Sequence, residues 1–326
     1  MKNKSVENHT AVWKFRADNY PAFLGLLLPA VLAGSGIYLS FAQIWGLHWW
    51  LAQVLLAVFF FQCFILLHEC GHLTYFRTRW LNPLFGHLFA FISLIPFASW
   101  VAIHNLHHKW TGYRDKDPTT EGTVNPQFGI VLRFVVNVSW LFWIPLFTVG
   151  YRLGNYWNLK KMKNHIPARQ MPVIYRNMVF QTIVTVLIFI FWGHWIWGHL
   201  GMGYLLSLML SDLFILSQHS HIEIPLAGSR EVQPLRFADQ VKYTRSVKLN
   251  TLMGRWLYFN FHLHEKHHAW PGIPAYHLHR VQEPMPNTVP FFHYLKDAKS
   301  LSGMEFVFRT SSMQIGKVQS QEHSSE

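Results

Sequence analysis

Residues 47–72 read LHWWLAQVLLAVFFFQCFILLHECGH. No Lys, Arg, Asp or Glu occurs from Leu47 to Leu67, and then His68-Glu69-Cys70-Gly71-His72 follows at once. About 20 apolar residues cross a bilayer as a helix, so the run predicts a membrane span that ends in side chains able to bind metal. Residues four apart stack on one helix face, so His68 and His72 converge.

Outward from this stretch, further apolar runs lie at roughly 20–42, 84–103, 128–150, 173–192 and 196–217. Two of them make poor spans. The run 84–103 contains His87 and Pro96, and 128–150 contains Arg133, Asn137 and Pro145. The stretch 151–176 carries Arg152, Lys160, Lys161, Lys163, Arg169 and Arg176 and no acid, whereas 43–46 and 193–195 carry no charge. Cytoplasmic loops hold the Lys/Arg excess, which puts 151–176, both termini, the region of Arg77 and Arg79 and everything after 217 on the cytoplasmic side.

The expected fold is therefore an all-α integral membrane protein. Four spans (20–42, 47–67, 173–192, 196–217) form two hairpins, 84–103 and 128–150 are interfacial or re-entrant, and a cytoplasmic cap holds the histidines. A bacterial inner membrane is the expected location, and the polar first nineteen residues are not expected to be a cleavable signal. Residues 1–309 read as a single domain, without linker or repeat, and 310–326 as a disordered polar tail.

Composition agrees. Of 326 residues 51% are hydrophobic, 17% aromatic and only 13% charged, against about a quarter charged in soluble domains. The net charge of +12 sits in loops between apolar runs, which fits anionic headgroups, and no nucleic-acid module is recognisable. Cys63 and Cys70 lie about 10 Å apart along one helix, too far for a disulfide.

Among 21 histidines, four clusters stand out: His68/His72, His104-Asn-Leu-His107-His108, Gln218-His219-Ser-His221, and His262-Leu-His264-Glu-Lys-His267-His268. The spacing i, i+3, i+4 makes His104, His107 and His108 a tripod, and His264, His267 and His268 a second. Nine or ten imidazoles are too many for one ion, so two metals are expected, and imidazole alone does not name them. A lone histidine at a membrane end is more often interfacial than a ligand; burying a whole set near a bilayer is costly unless something pairs with it. His9, His48, His165, His194, His199, His293 and His323 read as interfacial or solvated, and His277 and His279 stay open. Glu69, Asp212, Asn260 and His262 are candidates for the layer behind the ligands. Asp212, the only acid within the four spans, could bond a ligand or a water, or simply hold two helices together.

The segment 68–72 also fits HExxH, in which Glu is the general base of a zinc protease. That rival leaves the other histidines unexplained. A metal transporter is a third possibility and requires ligands along a transmembrane path.

The motifs resemble those of membrane fatty acid desaturases and their hydroxylase and ketolase relatives. HECGH resembles the first histidine box, HNLHHKWTGYRDKDP the second with its acidic-proline trailer, HEKHHAWPGIPAYHL the third, and SQHSHIEIPL a segment of the Δ12 acyl-lipid desaturases; together they cover about 55–282. The resemblance implies a helical stem under a cytoplasmic cap and a di-iron site held by His68, His72, His104, His107, His108, His264, His267 and His268. It implies a ninth ligand from His219 or His221, with His221 slightly favoured. It also implies an Asn near the last box, matched loosely by Asn260. The family's Asn-Tyr-His-x-x-His-His departs here, leaving His262 and His264 as alternatives.

The implied chemistry is O₂-dependent oxidation of an unactivated C–H bond by two Fe²⁺ ions. Desaturation of an acyl-lipid is the first expectation; hydroxylation, ketolation and oxidative decarboxylation are alternatives. Free acid, CoA and carrier-protein esters are not separated from lipids. No Cys₄ cluster, Gly-rich dinucleotide loop or haem segment is present, so electrons are expected from a separate ferredoxin, rubredoxin or cytochrome b5 with its reductase. The basic stretch around Lys160–Lys163 could dock such a carrier or serve only as a topology signal. The tryptophans at 45, 49, 50, 140, 143, 192, 195 and 197 read mainly as an interfacial belt.

Overall fold

The computed structural model describes residues 15–124, 126–309 and 315–316. All of the expected tail except 315–316 lies outside these residues.

The first hairpin pairs α1 (Asn19–Ser40) with α2 (Leu47–Gly71). Asp18 caps α1, its carboxylate accepting from the Tyr20 N–H at 2.9 Å, which satisfies one of the orphan donors of the first turn. α2 is the axis of the molecule: 61% of its most apolar window is buried, against 22% for α1. It runs past the apolar stretch, so that its last turn carries His68. Cys63 and Cys70 on α2 are buried free thiols.

The stretches 84–103 and 128–150 are each two helices. α3 (Leu81–Ile92) and α4 (Phe97–Trp110) meet at 103°, and α5 (Ile130–Leu141) and α6 (Leu146–Tyr156) at 120°. The breaks share one design. A non-glycine residue takes a left-handed backbone, Leu94 (φ 54°) or Trp143 (φ 58°), and an Ile-Pro pair follows. The Ile95 N–H returns to Ala90 O at 3.0 Å and the Ile144 N–H to Ser139 O at 2.9 Å, as in a Schellman cap. Proline then forbids continuation, since it lacks the N–H and disfavours helix in the residue before it.

The first bent pair returns to the level from which it started. The Asn82 side chain bonds Phe76 N and Phe76 O, both at 3.0 Å, close after His72, while His104 at the other end lies with Nε2 2.9 Å from His72 Nε2. Its bend is distant from both. Ser93 O accepts from Tyr204 Oη at 3.0 Å, and Tyr204 stands fifteen residues before His219, about 22 Å along a helix.

The third long apolar run, Ala168–His219, is helical over 52 residues. Straight, it would measure about 78 Å. It cannot be straight. Asn177 Oδ1 accepts from the Ala98 N–H at 2.9 Å, and the ring of His219 lies 4.7 Å from that of His107. Ala98 and His107 are about 14 Å apart on α4, whereas a straight helix would separate Asn177 and His219 by about 63 Å. The run doubles back at a π-turn, Trp197–Gly201, between α8 (Met171–Ile196) and α9 (Met202–His219). The turn is pinned to the first hairpin: Trp49 Nε1 donates to Gly198 O at 3.1 Å and Gln53 Nε2 to His199 O at 3.0 Å. Gly203 lets α9 approach α2 closely, since a Cβ there would lie 2.7 Å from Leu56 Cβ. Between the bent pairs and this run lies the short basic helix α7 (Leu159–His165).

After α9 the chain builds a cap. A 3₁₀ segment (Phe237–Tyr243) leads to β1 (Ser246–Lys248), which pairs in parallel with β2 (Thr288–Pro290). Between the strands lie α10 (His264–Ala269) and α11 (Ala275–Leu278), and after them α12 (Phe291–Ser300) and α13 (Gly303–Phe308). Glu265 fastens α10 to both strands, accepting from Ser246 N at 3.2 Å, Thr288 Oγ1 at 2.8 Å and Asn287 N at 2.7 Å. Arg245 closes the C-terminus of α9 by donating to Ser217 O and Ser220 O, both at 3.0 Å, where the free carbonyls attract a cation.

Candidate metal centre

Four elements aim histidines at one place: the end of α2, the end of α4, the end of α9 and the whole of α10. Two groups result, His68/His72/His104/His267 and His107/His219/His264/His268, with ligand atoms within 4.8 Å of one another in each. His108 joins the first group. Its Nε2 lies 3.1 Å from His104 Nε2 and 3.0 Å from His267 Nε2. Nine histidines thus divide five and four.

The two tripods expected from sequence are corrected. On α4, His104 and His108 face the first group and His107 the second; on α10, His264 and His268 face the second and His267 the first. Helix geometry gives the reason. Residues i and i+4 differ by about 40° around the axis, whereas i+3 lies about 60° to the other side. Each box straddles the two groups and ties them together.

The ring nitrogens divide their work. On the outer side, Nδ1 of His68 meets Glu69 Oε1 at 3.0 Å, His107 meets Asp117 Oδ2 at 2.6 Å, His268 meets Gln240 Oε1 at 2.9 Å and His219 meets Tyr243 O at 3.2 Å. These partners are acceptors, so each Nδ1 carries the hydrogen and Nε2 keeps its lone pair. On the inner side, His264 Nε2 lies 2.8 Å from His219 Nε2 and 3.0 Å from His268 Nε2, with those two lone pairs both turned towards it. Burial holds His264, His267 and His268 well below the usual imidazole range, and the neighbouring histidines push them further. They are neutral, which is the form that binds metal. His68 Nε2 is buried with no protein hydrogen-bond partner. Converging, neutral, mutually unsatisfied Nε2 atoms fit two cations, with no carboxylate among the inward-facing atoms.

Gly71 has a steric task here. A Cβ on it would lie 2.2 Å from Trp100 Cζ3, and the Trp100 ring stacks on His104 at 4.3 Å. Any side chain at position 71 would push on a member of the first group.

The remaining candidates separate. His219 belongs to the second group and His221 to neither, contrary to the slight preference for His221. α9 ends at His219, and His221 beyond it turns left-handed (φ 54°) and hydrogen-bonds the backbone of Glu305 and Arg309. His264, not His262, enters the second group; the His262 ring packs on Gly254, where a Cβ would lie 2.4 Å from its Cε1. Asn260 Nδ2 donates to Ala275 O at 2.8 Å and lies 3.4 Å from His279 Nδ1, so it braces the loop that follows α10. Asp212 accepts from the Thr148 N–H at 2.5 Å and joins α9 to α6, two turns below His219. Glu69 meets His68 Nδ1 with its Oε1 at 3.0 Å. Its second oxygen accepts from the Ala275 N–H at 2.8 Å, which leaves it badly placed as the general base of an HExxH protease.

Sequence reading missed Asp117, Thr119 and Gln240. Asp117 holds its carboxyl below the usual range: burial alone would raise it, but His107 and the hydrogen bonds from Thr119 outweigh that. The Asp-Pro-Thr turn closely following His108 was its visible trace. Gln240 left none.

A cavity of about 380 Å³ lies among α5, α6, α9 and α13, walled chiefly by apolar side chains such as Phe128, Leu132, Phe147 and Leu216. A second, of about 100 Å³, shares Thr119, Tyr151, Ile215 and Leu216 with it and reaches His219. An apolar volume therefore adjoins the second histidine group.

The family model described as Fatty acid desaturase matches residues 44–298. The chain is 26% identical over 75% of its length to an sn-1 acyl-lipid omega-3 desaturase (ferredoxin) of Nostoc sp., covering 68% of that protein. It is 28% identical over 76% of its length to an sn-1 oleoyl-lipid 12-desaturase of Picosynechococcus sp., covering 75%. A chloroplastic sn-2 acyl-lipid omega-3 desaturase (ferredoxin) of Helianthus annuus is 26% identical over 77% of the chain, which spans 58% of that protein.

Proposed function

The chain belongs to the fatty acid desaturase family, and from that premise we propose that it is a di-iron oxidoreductase that introduces a double bond into the acyl chain of a membrane lipid. The convergence of nine histidine Nε2 atoms in two groups carries the reading. One Fe²⁺ would be held by His68, His72, His104, His108 and His267, the other by His107, His219, His264 and His268. The bound irons supply O₂ activation and removal of hydrogen from an unactivated C–H bond, which no side chain can perform.

The protein's own residues do the rest. Glu69, Asp117, Gln240 and the Tyr243 carbonyl each hold an Nδ1–H and so fix ring orientation and tautomer. Burial keeps His264, His267 and His268 neutral. The apolar cavity beside His219 would take part of the acyl chain and keep water from the reacting carbon. Electrons would come from a separate carrier such as a ferredoxin, as the printed names of two relatives say of those proteins.

We read the membrane arrangement as four crossings, by α1, α2, α8 and α9, with the two bent pairs entering and leaving on the cytoplasmic side. Three described helical runs are long and apolar enough to cross, and the doubling back at Trp197–Gly201 supports counting the third as two. A single domain over 1–309, with both termini and the cap in the cytoplasm, is part of the same reading. The first experiment is iron analysis of the purified chain together with lipid profiling of cells that express it. Two irons and a new double bond in membrane acyl chains are expected. A single zinc and unchanged lipids would sink the proposal; two irons with a hydroxylated or shortened chain would keep the centre and change the reaction.

A further inference from the structure

α4 has two working faces. His104, His107 and His108 occupy one. Ala98, Val101, Ala102, Asn105 and Lys109 recur at helical spacing on another and form the floor of an open groove. Its lower part, about 560 Å³, runs between α4 and the start of α8, walled by Val173 and Ile174 with Arg169 at the side. Its upper part, about 280 Å³, is lined by Lys109, Leu235 and Phe237 and reaches the edges of His72 and His108. The two parts share Asn105.

The polarity of this groove is graded. The deep end is mainly apolar, with Ala98, Val101 and Ala102 on the floor and Phe97 and His87 beside them, and lies towards the bend of the α3–α4 pair. Towards the cap it is cationic. No acidic residue lines either part, and neither Arg169 nor Lys109 takes part in an ion pair among the described residues. Arg169 stands immediately before α8 enters its apolar run, which is headgroup level for a helix that crosses a bilayer.

We propose that this groove binds an anionic glycerolipid from the membrane, with its phosphate between Arg169 and Lys109 and one acyl chain laid along Ala98, Val101 and Ala102. Guanidinium and ammonium groups are the natural partners of a phosphate. A floor of small residues leaves room for a chain that a Leu or Phe there would fill. The upper part touches His72 and His108, whereas the chain itself runs along the lower part, so this lipid site is separate from the cavity beside His219 that would take the acyl chain to be desaturated. The binding statement stands on the groove alone and does not require this lipid to be the one desaturated.

The test uses the full iron-loaded chain in nanodiscs containing equal phosphatidylglycerol and phosphatidylcholine with identical acyl chains. After gentle extraction, the lipids retained by the protein are counted by mass spectrometry. Retention of phosphatidylglycerol about five-fold or more above phosphatidylcholine is expected, since each basic residue near the surface favours an anionic lipid by roughly that factor. Arg169→Glu combined with Lys109→Glu should bring the ratio to parity. Ala102→Trp, which fills the floor and leaves both charges, should lower retention of both lipids, and two irons per chain verify that each variant is folded. Parity in the unmodified protein, or a preference that survives these variants, overturns the proposal. So does a charge variant that keeps the lipid preference but loses turnover only when an acidic carrier protein, rather than a chemical reductant, supplies electrons. Phosphatidylglycerol retained as expected, with no new double bond in any lipid, upholds the groove and sinks the desaturase reading instead.

Discussion

The two histidine groups are built on different principles. The first has five rings, and among the described residues only His68 has its Nδ1–H held, donating to Glu69 Oε1. The second has four rings, three of them braced at Nδ1: His107 by Asp117, His219 by the Tyr243 carbonyl and His268 by Gln240. Ligand number supports one site and the surrounding protein supports the other. The difference follows from where the elements come from. The first group takes four of its five rings from α2 and α4, long helices of the stem that hold their side chains through their own backbones, and only His267 from α10. The second takes one ring, His107, from α4 and the other three from the last residue of α9 and the six-residue α10, short or terminal positions that need outside partners to keep their side chains aligned.

Loss of a ring is the severest test of this contrast. His264→Ala removes the Nε2 that lies between His219 and His268. It should abolish desaturation and lower iron from two per chain to one or fewer, as measured by elemental analysis. Retention of two irons would dissolve the second group. Removing the braces comes next. Asp117→Ala should weaken iron binding at the second group by about 10–100-fold, the usual effect of losing such a partner, while Glu69→Ala, which frees one ring of five, should cost less. Chelator titration followed by Mössbauer spectroscopy separates the two irons, and equal losses would erase the distinction. Gly71→Ala should disturb the first group alone, through Trp100 and His104, and lower activity with smaller loss of iron. The least effect belongs to His221→Ala, which should keep two irons and most activity; a variant lacking one iron would return His221 to the ligand set.

Acid should sharpen the contrast further. Asp117 has its carboxyl held below the usual range in the fold, so its support for His107 is complete above the ordinary carboxylate range of about 4 and disappears as pH falls through the lowered value. Asp117→Asn should remove that acid-sensitive part of the unfolding profile in circular dichroism, and an unchanged profile would count against it.

Much of this was legible along the chain. The apolar run from Leu47 to Leu67 ending in His68 predicted a span delivering ligands. Pro96 and Pro145 identified the two stretches that could not be straight spans. The four histidine clusters anticipated two metals because their number exceeds one coordination sphere. These readings depend on local rules: apolar length, helical spacing and the backbone demands of proline. The basic loop 151–176 predicted an orientation by a rule of the same kind.

Tertiary structure decided everything that depends on which elements face one another. Helical spacing on α4 and α10 turns the i+3 histidine away from the i, i+4 pair, but only the packing of four elements around one place decides which group His107 and His267 join. Nothing local distinguishes His219 from His221; the end of α9 and the anchoring of the following turn by Arg245 make the choice. Gln240 becomes a brace because the cap folds over α4, where its Nε2 donates to His108 O at 2.7 Å, Asp117 because the turn after α4 comes back to His107, and Asp212, read as a possible ligand partner, is claimed by Thr148. A histidine's chemistry is written in its residue type. Its allegiance is set by distances between chain segments far apart in sequence, and those exist only once the helices have packed.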